Sequence, residues 1–399
     1  MKIAIVGGGA AGLMAAVVAS QQHKVTVFEK QSRVGKKLYA SGNGKCNLTN
    51  SALTRENLQK PNDFYNCQQA NNVVSRFDFN DFMSFCKNQL AIETIVDSQG
   101  RVYPRSEQSS SVLDAFRLKC QKNGVKICDG KEVFKIERSS KGFRLHFGND
   151  EMAFFDKVIF CVGSNAQTRN FNSFDLLKNF DLKITKRQAS LTPINTQKVW
   201  LPLNGVKAKC NVTLYQDGQK VMNESGEVLF RDYGLSGIVI FNVSAYIARN
   251  VAKEIKAKYY LSLDLFQELT QKQLEEKLYE RLSVCGNDSK TFFVGMFCNA
   301  LAHEIIKACN VGETIKKDEI TKIAKFLKNI RFDVSSLCGE DKGQVVSGGV
   351  DFAQIDENMQ CKTMPGLYFA GECLDADGLC GGFNLHFAFA SGYLAGKSV

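Results

Sequence analysis

Three stretches of the 399-residue chain predict an α/β fold: a Rossmann-like dinucleotide-binding domain of the glutathione-reductase type, interrupted by an inserted β-rich subdomain and a helical subdomain. The first, "KIAIVGGGAAG" (2–12), is an apolar run that breaks into glycines spaced for a strand-to-helix turn. The second, "CGGFNLHFAFASG" (380–392), opens a helix on two adjacent glycines almost at the end of the chain. In the third, the middle, alternating β patterns give way to helical spacing.

The β-α-β unit comes first. Ile3 to Val6 reads as a buried strand, Gly7-x-Gly9-x-x-Gly12 as the turn, Leu13 to about Gln21 as a helix, and "KVTVFEK" as a second strand carrying Glu29. Gly7 permits the tight turn, Gly9 lets backbone approach a pyrophosphate, and Gly12 lets helix and strand pack closely. The helix N-terminus, from Ala10 and Ala11 onward, offers N–H groups and positive potential to phosphates. Glu29, 17 residues after Gly12, is placed to accept from ribose hydroxyls, with Lys30 beside it. A lone G-x-G-x-x-G is weak evidence; both strands and the acid make this one specific. The same glycines break residues 2–19 as a signal peptide.

The fingerprint serves FAD and NAD alike. The next stretch, "GKKLYASGNGKCNLTN" (35–50), favours FAD. It is a polar loop of Gly, Asn and Ser with Lys36, Lys37 and Lys45, and supplies backbone donors and cations near a diphosphate. This stretch resembles the "G-x-K-x-x-x-S-G-x-G-R-C-N-x-T-N" signature of the BaiN-like, aminoacetone-oxidase-type bacterial flavoproteins, with Lys45 in place of Arg. The resemblance places Ser41, Gly42, Gly44, Cys46 and Asn47 with Lys37 at the cofactor.

Residues 363–396 resemble the same family's C-terminal signature. Leu367 to Ala370 reads as a strand, and Gly371-Glu372 follows it with a carboxylate for ribityl hydroxyls. "DADGLCGG" is a tight loop, and a helix starts near Phe383 and Asn384. Gly382, Phe383, Asn384 and Leu385 are expected to face the flavin edge where negative charge develops on reduction. Cys46 and His386 are the two catalytic candidates. Each has a plainer alternative, a buried small hydrophobe and a structural helix residue.

Between the signatures, residues 64–120 read as helices around "GRVYPRS", a Pro-bearing turn that matches the family's "G-R-V-F-P". Residues 125–165 alternate like a β-meander and end in a strand from Val158 to Gly163. The resemblance puts Val133 beside the adenine and Gly163 near the pyrophosphate. After Gly163 the chain departs from the family, in the loop 164–180. Residues 189–252 and 330–344 read as the β-rich insert and 253–329 as the helical subdomain, which leaves 1–188 and 345–399 as a discontinuous FAD domain.

Composition excludes several classes. No run of eighteen uncharged apolar residues exists, so no spanning helix and no membrane partner are expected. Fourteen cysteines include no Cys-x-x-Cys, and four scattered histidines make no zinc pattern; a cytoplasmic protein with reduced thiols and no metal is expected. Net charge is +10, and residues 1–60 carry nine Lys/Arg against two acids. That excess lies on the cofactor segment without an aromatic-basic stripe, so no nucleic-acid partner is expected. With no second G-x-G-x-x-G, any NAD(P)H docks transiently. The expected function is an FAD-dependent oxidoreductase, a monomer or homodimer, moving hydride through flavin N5 to or from a small organic substrate. Relatives are described as NAD(P)H-driven reductases of unsaturated or keto substrates, or as oxidases passing electrons from a small amine to O₂. A tRNA-modifying flavoprotein is the alternative of another class.

Overall fold

The computed structural model describes residues 1–60, 64–166 and 173–399. The chain divides into two units, Met1–Gln188 with Val345–Val399, and Ala189–Gln344.

In the first unit a five-stranded parallel sheet runs in the order Leu367–Phe369, Lys157–Phe160, β1 (Lys2–Val6), β2 (Lys24–Glu29) and Lys126–Asp129. β1 is central. Ile3, Ala4 and Ile5 are fully buried, as a strand covered on both faces must be. Helix α1 (Ala10–Ala19) returns the chain from β1 to β2, and all its residues from Ala11 onward are buried. Its apolar girth has a partner: the C-terminal helix Phe383–Ser398. A Cβ on Gly392 would lie 2.4 Å from Ala11 O, and one on Gly396 2.7 Å from Ala15 O. The two helices therefore meet backbone to backbone, which only small residues allow. His23, just past α1, donates from Nε2 to Val399 O (2.8 Å).

Three expectations change here. Lys126–Asp129 joins the parallel sheet, so the antiparallel meander has only three strands, Lys135–Ser139, Gly142–His146 and Met152–Phe155. The strand from Lys157 ends at Phe160, short of Gly163, which turns with φ +72°. The "GRVYP" stretch is a strand, Arg101–Pro104, between Thr49–Asn50 and Thr94–Val96, with Pro104 tolerated at its end. In the divergent loop 164–180, residues 167–172 lie outside the described residues; Phe174, Leu177 and Phe180 beyond them are buried.

The second unit corrects the helical reading of 253–329. Tyr259–Asp264 is a strand of a closed six-stranded antiparallel barrel with Ile194–Thr196, Gly234–Ser236, Gln219–Arg231, Lys207–Gln216 and Ile330–Leu337. Conversely, Ile238–Ala252, inside the segment read as β-rich, is a helix. The β-rich and helical segments thus form one unit. Helices Gln271–Cys285, Asn299–Ala308 and Glu319–Lys328 pack into the same apolar core as the barrel. Trp200 anchors that core, stacked on Phe230 (6.0 Å) and edge-on to Phe332 (5.3 Å). Among the described residues, no helix is long and apolar enough to cross a membrane.

Both catalytic candidates turn out to be interior groups. His386 is fully buried. Its Nε2 faces Phe77 O (2.9 Å), which only accepts, so the proton sits on Nε2. Nδ1 then accepts from Thr49 Oγ1 (2.7 Å), and the ring is neutral with both nitrogens engaged. Burial pushes its pKa down to about 4, although the Phe77 carbonyl and Asp78 favour the charged form. Cys46 is also fully buried, and burial pushes its thiol up to about 12. A protonated, enclosed thiol is no nucleophile.

His386 therefore makes stability depend on acid. Between pH 6.5 and about 4 the unfolded chain binds a proton at this ring that the folded chain refuses, so stability falls as pH drops through that window. The difference amounts to roughly 2 kcal/mol by pH 5. His386→Gln should lower Tm at pH 7 but lose less further stability between pH 7 and 5 than the unaltered protein, as measured by thermal unfolding. Parallel loss in both proteins would contradict the buried neutral ring.

Candidate functional site

Four glycines open α1, and three of them face protein. A Cβ on Gly7 would lie 2.4 Å from Cys161 O, one on Gly8 2.3 Å from Val34 Cγ1, and one on Gly12 2.0 Å from Gly7 O. Gly7 also holds φ +104°, which side chains disfavour. Gly9 differs: a Cβ there meets nothing within 4 Å, and its φ of −80° suits any residue. The turn needs three glycines for itself and leaves space at the fourth. Gly9 is the N-cap of α1 and brings no side-chain cap, and no acid stands in the first turn. The positive potential of this helix end is therefore not offset by a capping or first-turn acid.

Glu29 closes this turn. Its two carboxylate oxygens accept from Gly8 N–H (2.9 Å) and Gln31 N–H (2.8 Å). Each oxygen keeps a lone pair for a hydroxyl. Lys30 lies 4.0 Å from Glu132, next to Val133, and the peptide 131 N–H bonds Glu29 O (2.9 Å), so β2 and the Val133 loop form one edge. Burial lowers the Lys30 pKa, against the pull of Glu132 and Glu29.

Of the three lysines in the polar loop, only Lys37 turns inward. Its Nζ donates to Ser164 O (2.6 Å), beside Gly163, and lies 3.8 Å from Glu372. Glu372 in turn accepts from Val346 N–H (3.0 Å). Lys36 bonds Gln31, and Lys45 pairs with Glu107 at 3.0 Å, both at the surface. The loop itself is a run of left-handed residues, Gly42, Asn43, Gly44 and Cys46, held by Cys46 N–H to Ser41 O (3.0 Å).

The two signatures meet side chain by side chain. With its amide oriented to satisfy both contacts, Asn47 accepts from Gly382 N–H (3.1 Å) and donates to Thr49 O (3.1 Å). A Cβ on Gly382 would lie 2.4 Å from Thr49 O, and its φ of +100° needs glycine. Asn50 Nδ2 donates to Gly381 O (3.0 Å), 331 residues away in sequence. Tyr65, buried, donates to Phe383 O (2.8 Å). Asn384 turns its side chain back onto the loop, accepting from Gly378 N–H (2.8 Å) and donating to Gly378 O (3.0 Å) and Leu379 O (3.2 Å). The first-turn peptides at Phe383, Asn384 and Leu385 form a second helix N-terminus without a side-chain cap. Near the other end of this loop, Gly371 passes so close to α1 that a Cβ would lie 2.8 Å from Ala11 Cβ.

Sequence reasoning missed the supports of this loop. Asn66 donates to Asp375 Oδ1 (3.1 Å) and accepts from Asp377 N–H (3.2 Å). Burial raises the Asp375 carboxyl above its usual range, with Asp377 adding to it. The D-A-D-G spelling was the only available signal, and it reads equally well as a turn.

A 3-dehydro-bile acid delta(4,6)-reductase of Clostridium scindens is 28% identical over 414 residues, spanning 100% of this chain and 98% of the relative. A ribosomal RNA dihydrouridine synthase of Haemophilus influenzae is 26% identical over 411 residues, spanning 99% and 97%. Among solved structures, a 3-ketosteroid-delta4-(5alpha)-dehydrogenase from Rhodococcus jostii RHA1, in complex with 4-androstene-3,17-dione, shares the fold with a TM-score of 0.52 at 12% identity, over 99% of this chain and 96% of that one. The description "HI0933-like protein Rossmann domain" matches residues 1–398, the whole span from the first glycine turn to the last helix. The chain belongs to this HI0933-like Rossmann-domain family, the BaiN-like FAD-dependent oxidoreductases.

Proposed function

We propose that this protein reduces a carbon–carbon double bond conjugated to a carbonyl group in a small organic substrate, with NAD(P)H as reductant and FAD held in the first unit. The single observation that carries cofactor binding is the open space at Gly9 beside three glycines already filled by protein. The reaction class is supported by the relatives' names: a delta(4,6)-reductase of a 3-dehydro compound and a dihydrouridine synthase both describe hydrogen added across such a double bond.

When bound, the flavin supplies hydride exchange through N5. The chain supplies position and charge. The α1 N–H groups at Ala10, Ala11 and Gly12 are for the pyrophosphate, Glu29 is for the adenosine ribose, and Lys37 and Glu372 are for the phosphate and ribityl side. Backbone at Val133 and Gly163 borders the adenine and pyrophosphate. The peptides at Gly382, Phe383, Asn384 and Leu385 direct positive potential at charge that develops on reduction. Asn47 holds that second helix start through Gly382 N–H, in a loop whose turn Ser41, Gly42 and Gly44 shape. His386 and Cys46 take no proton in this reading.

A second reading keeps an RNA substrate, because two relatives are named for ribosomal RNA and the chain carries a net charge of +10. Retention on immobilised RNA that weakens steeply between 50 and 200 mM salt, on the order of a hundredfold or more, would favour it. Salt-independent passage through the column would dismiss it.

Gly9→Val and Gly12→Val separate binding from folding. Gly9→Val should give folded but colourless protein, with the Tm of apoprotein. Gly12→Val should fail to fold, because the clash is with backbone. A yellow Gly9→Val protein would sink the cofactor placement. In an anaerobic NADPH titration followed by visible absorption, the flavin band should bleach. A band that stays yellow would point to substrate-derived electrons and the amine-oxidase alternative.

A further inference from the structure

Most polar side chains around the start of the C-terminal helix are already committed. Thr49 bonds His386, Asn50 holds Gly381 O, Tyr65 holds Phe383 O, and Asn384 closes its own loop. Two neighbours are not. Arg101 and Tyr103 alternate along the strand Arg101–Pro104, so they share one face, opposite buried Val102 and Pro104. The Arg101 stem lies against the helix start: a Cβ on Gly381 would be 3.9 Å from Arg101 Cγ.

Arg101 is held from behind. Asp97 accepts from its Nε (2.7 Å) and from its backbone N–H (3.0 Å), which fixes the plane of the guanidinium. Both Nη groups lack a hydrogen-bond partner among the described residues, and the side chain is 27% exposed. The Tyr103 hydroxyl has no partner among them either. Burial, together with Asp97 and Cys380, raises its pKa against the opposing Arg101 and Lys45, so it stays a donor at neutral pH.

We infer that Arg101 and Tyr103 together grip the carbonyl oxygen of an α,β-unsaturated carbonyl substrate. The inference rests on the reductase reading above. When hydride adds to the carbon β to the carbonyl, the double-bond pair shifts and negative charge forms on the carbonyl oxygen. Donors fixed beforehand at that oxygen lower the barrier, because they are placed where charge appears. A proton from water at the α carbon completes the addition. Its two electrons come from reduced nicotinamide by way of the bound flavin.

The test uses holoenzyme whose flavin has been photoreduced without oxygen and then mixed with cyclohex-2-enone. Recovery of the flavin band should be saturable in enone. Tyr103→Phe should raise the half-saturating concentration about fivefold, the worth of one hydrogen bond. Arg101→Gln should slow the maximal rate on the order of a hundredfold, and Arg101→Lys should recover part of it. Flavin content and Tm should match the unaltered protein throughout, since both side chains are partly exposed. Recovery curves in Tyr103→Phe and Arg101→Gln equal to the unaltered protein would overturn the assignment while leaving the reductase reading intact. Unaltered, fully flavinated protein that no enone reoxidises would overturn both.

Discussion

The structure depends on a seam between its first fifty residues and its last twenty. Asn47 to Gly382, Thr49 to His386 and Asn50 to Gly381 are three polar contacts in a row, two of them 337 and 331 residues apart in sequence. Each involves a buried or half-buried group. Breaking one leaves its partner unsatisfied, which costs about 1–3 kcal/mol. Such contacts fix register where apolar packing alone would tolerate slippage. The seam holds the second helix start beside the polar loop.

The same junction continues as close helix packing. Gly392 and Gly396 let the C-terminal helix settle on the Ala11 and Ala15 carbonyls of α1. Helix α1 is thereby covered on the side away from the sheet, which explains a helix of Ala and Val with no polar stripe. Since α1 also carries the glycine turn, both helix N-termini belong to one packed body. The second unit interrupts this body in sequence, yet builds its own core around Trp200 and the barrel.

Burial also decides which chemical groups stay inert. His386 and Cys46 have the right residue types for catalysis, but the interior holds one neutral and the other protonated. Among the described residues, Arg101 and Tyr103 keep unused donors on the strand Arg101–Pro104, where Asp97 orients Arg101 without enclosing it. A site that reduces a polarised substrate needs donors of that kind, oriented by neighbours and open on one side.

The sequence by itself determined the β-α-β turn, Glu29 at the end of β2 and the helix start at Phe383, since each rests on short-range spacing that backbone geometry enforces. It also marked the lysine-rich loop, in which the resemblance singles out Lys37, whereas the contacts of Lys37 with Ser164 and Glu372 come only from the fold. The tertiary structure decided everything that rests on a distant partner. The neutral tautomer of His386 follows from Phe77 and Thr49, and the strand at Tyr259–Asp264 exists because Lys207–Gln216 and Ile330–Leu337 flank it in the barrel. Arg101 lies against the helix start, which Asn50 holds through Gly381 O. Local spacing encodes turns and helix ends, whereas protonation, exposure and strand partners are set by atoms that the chain brings close only when it folds.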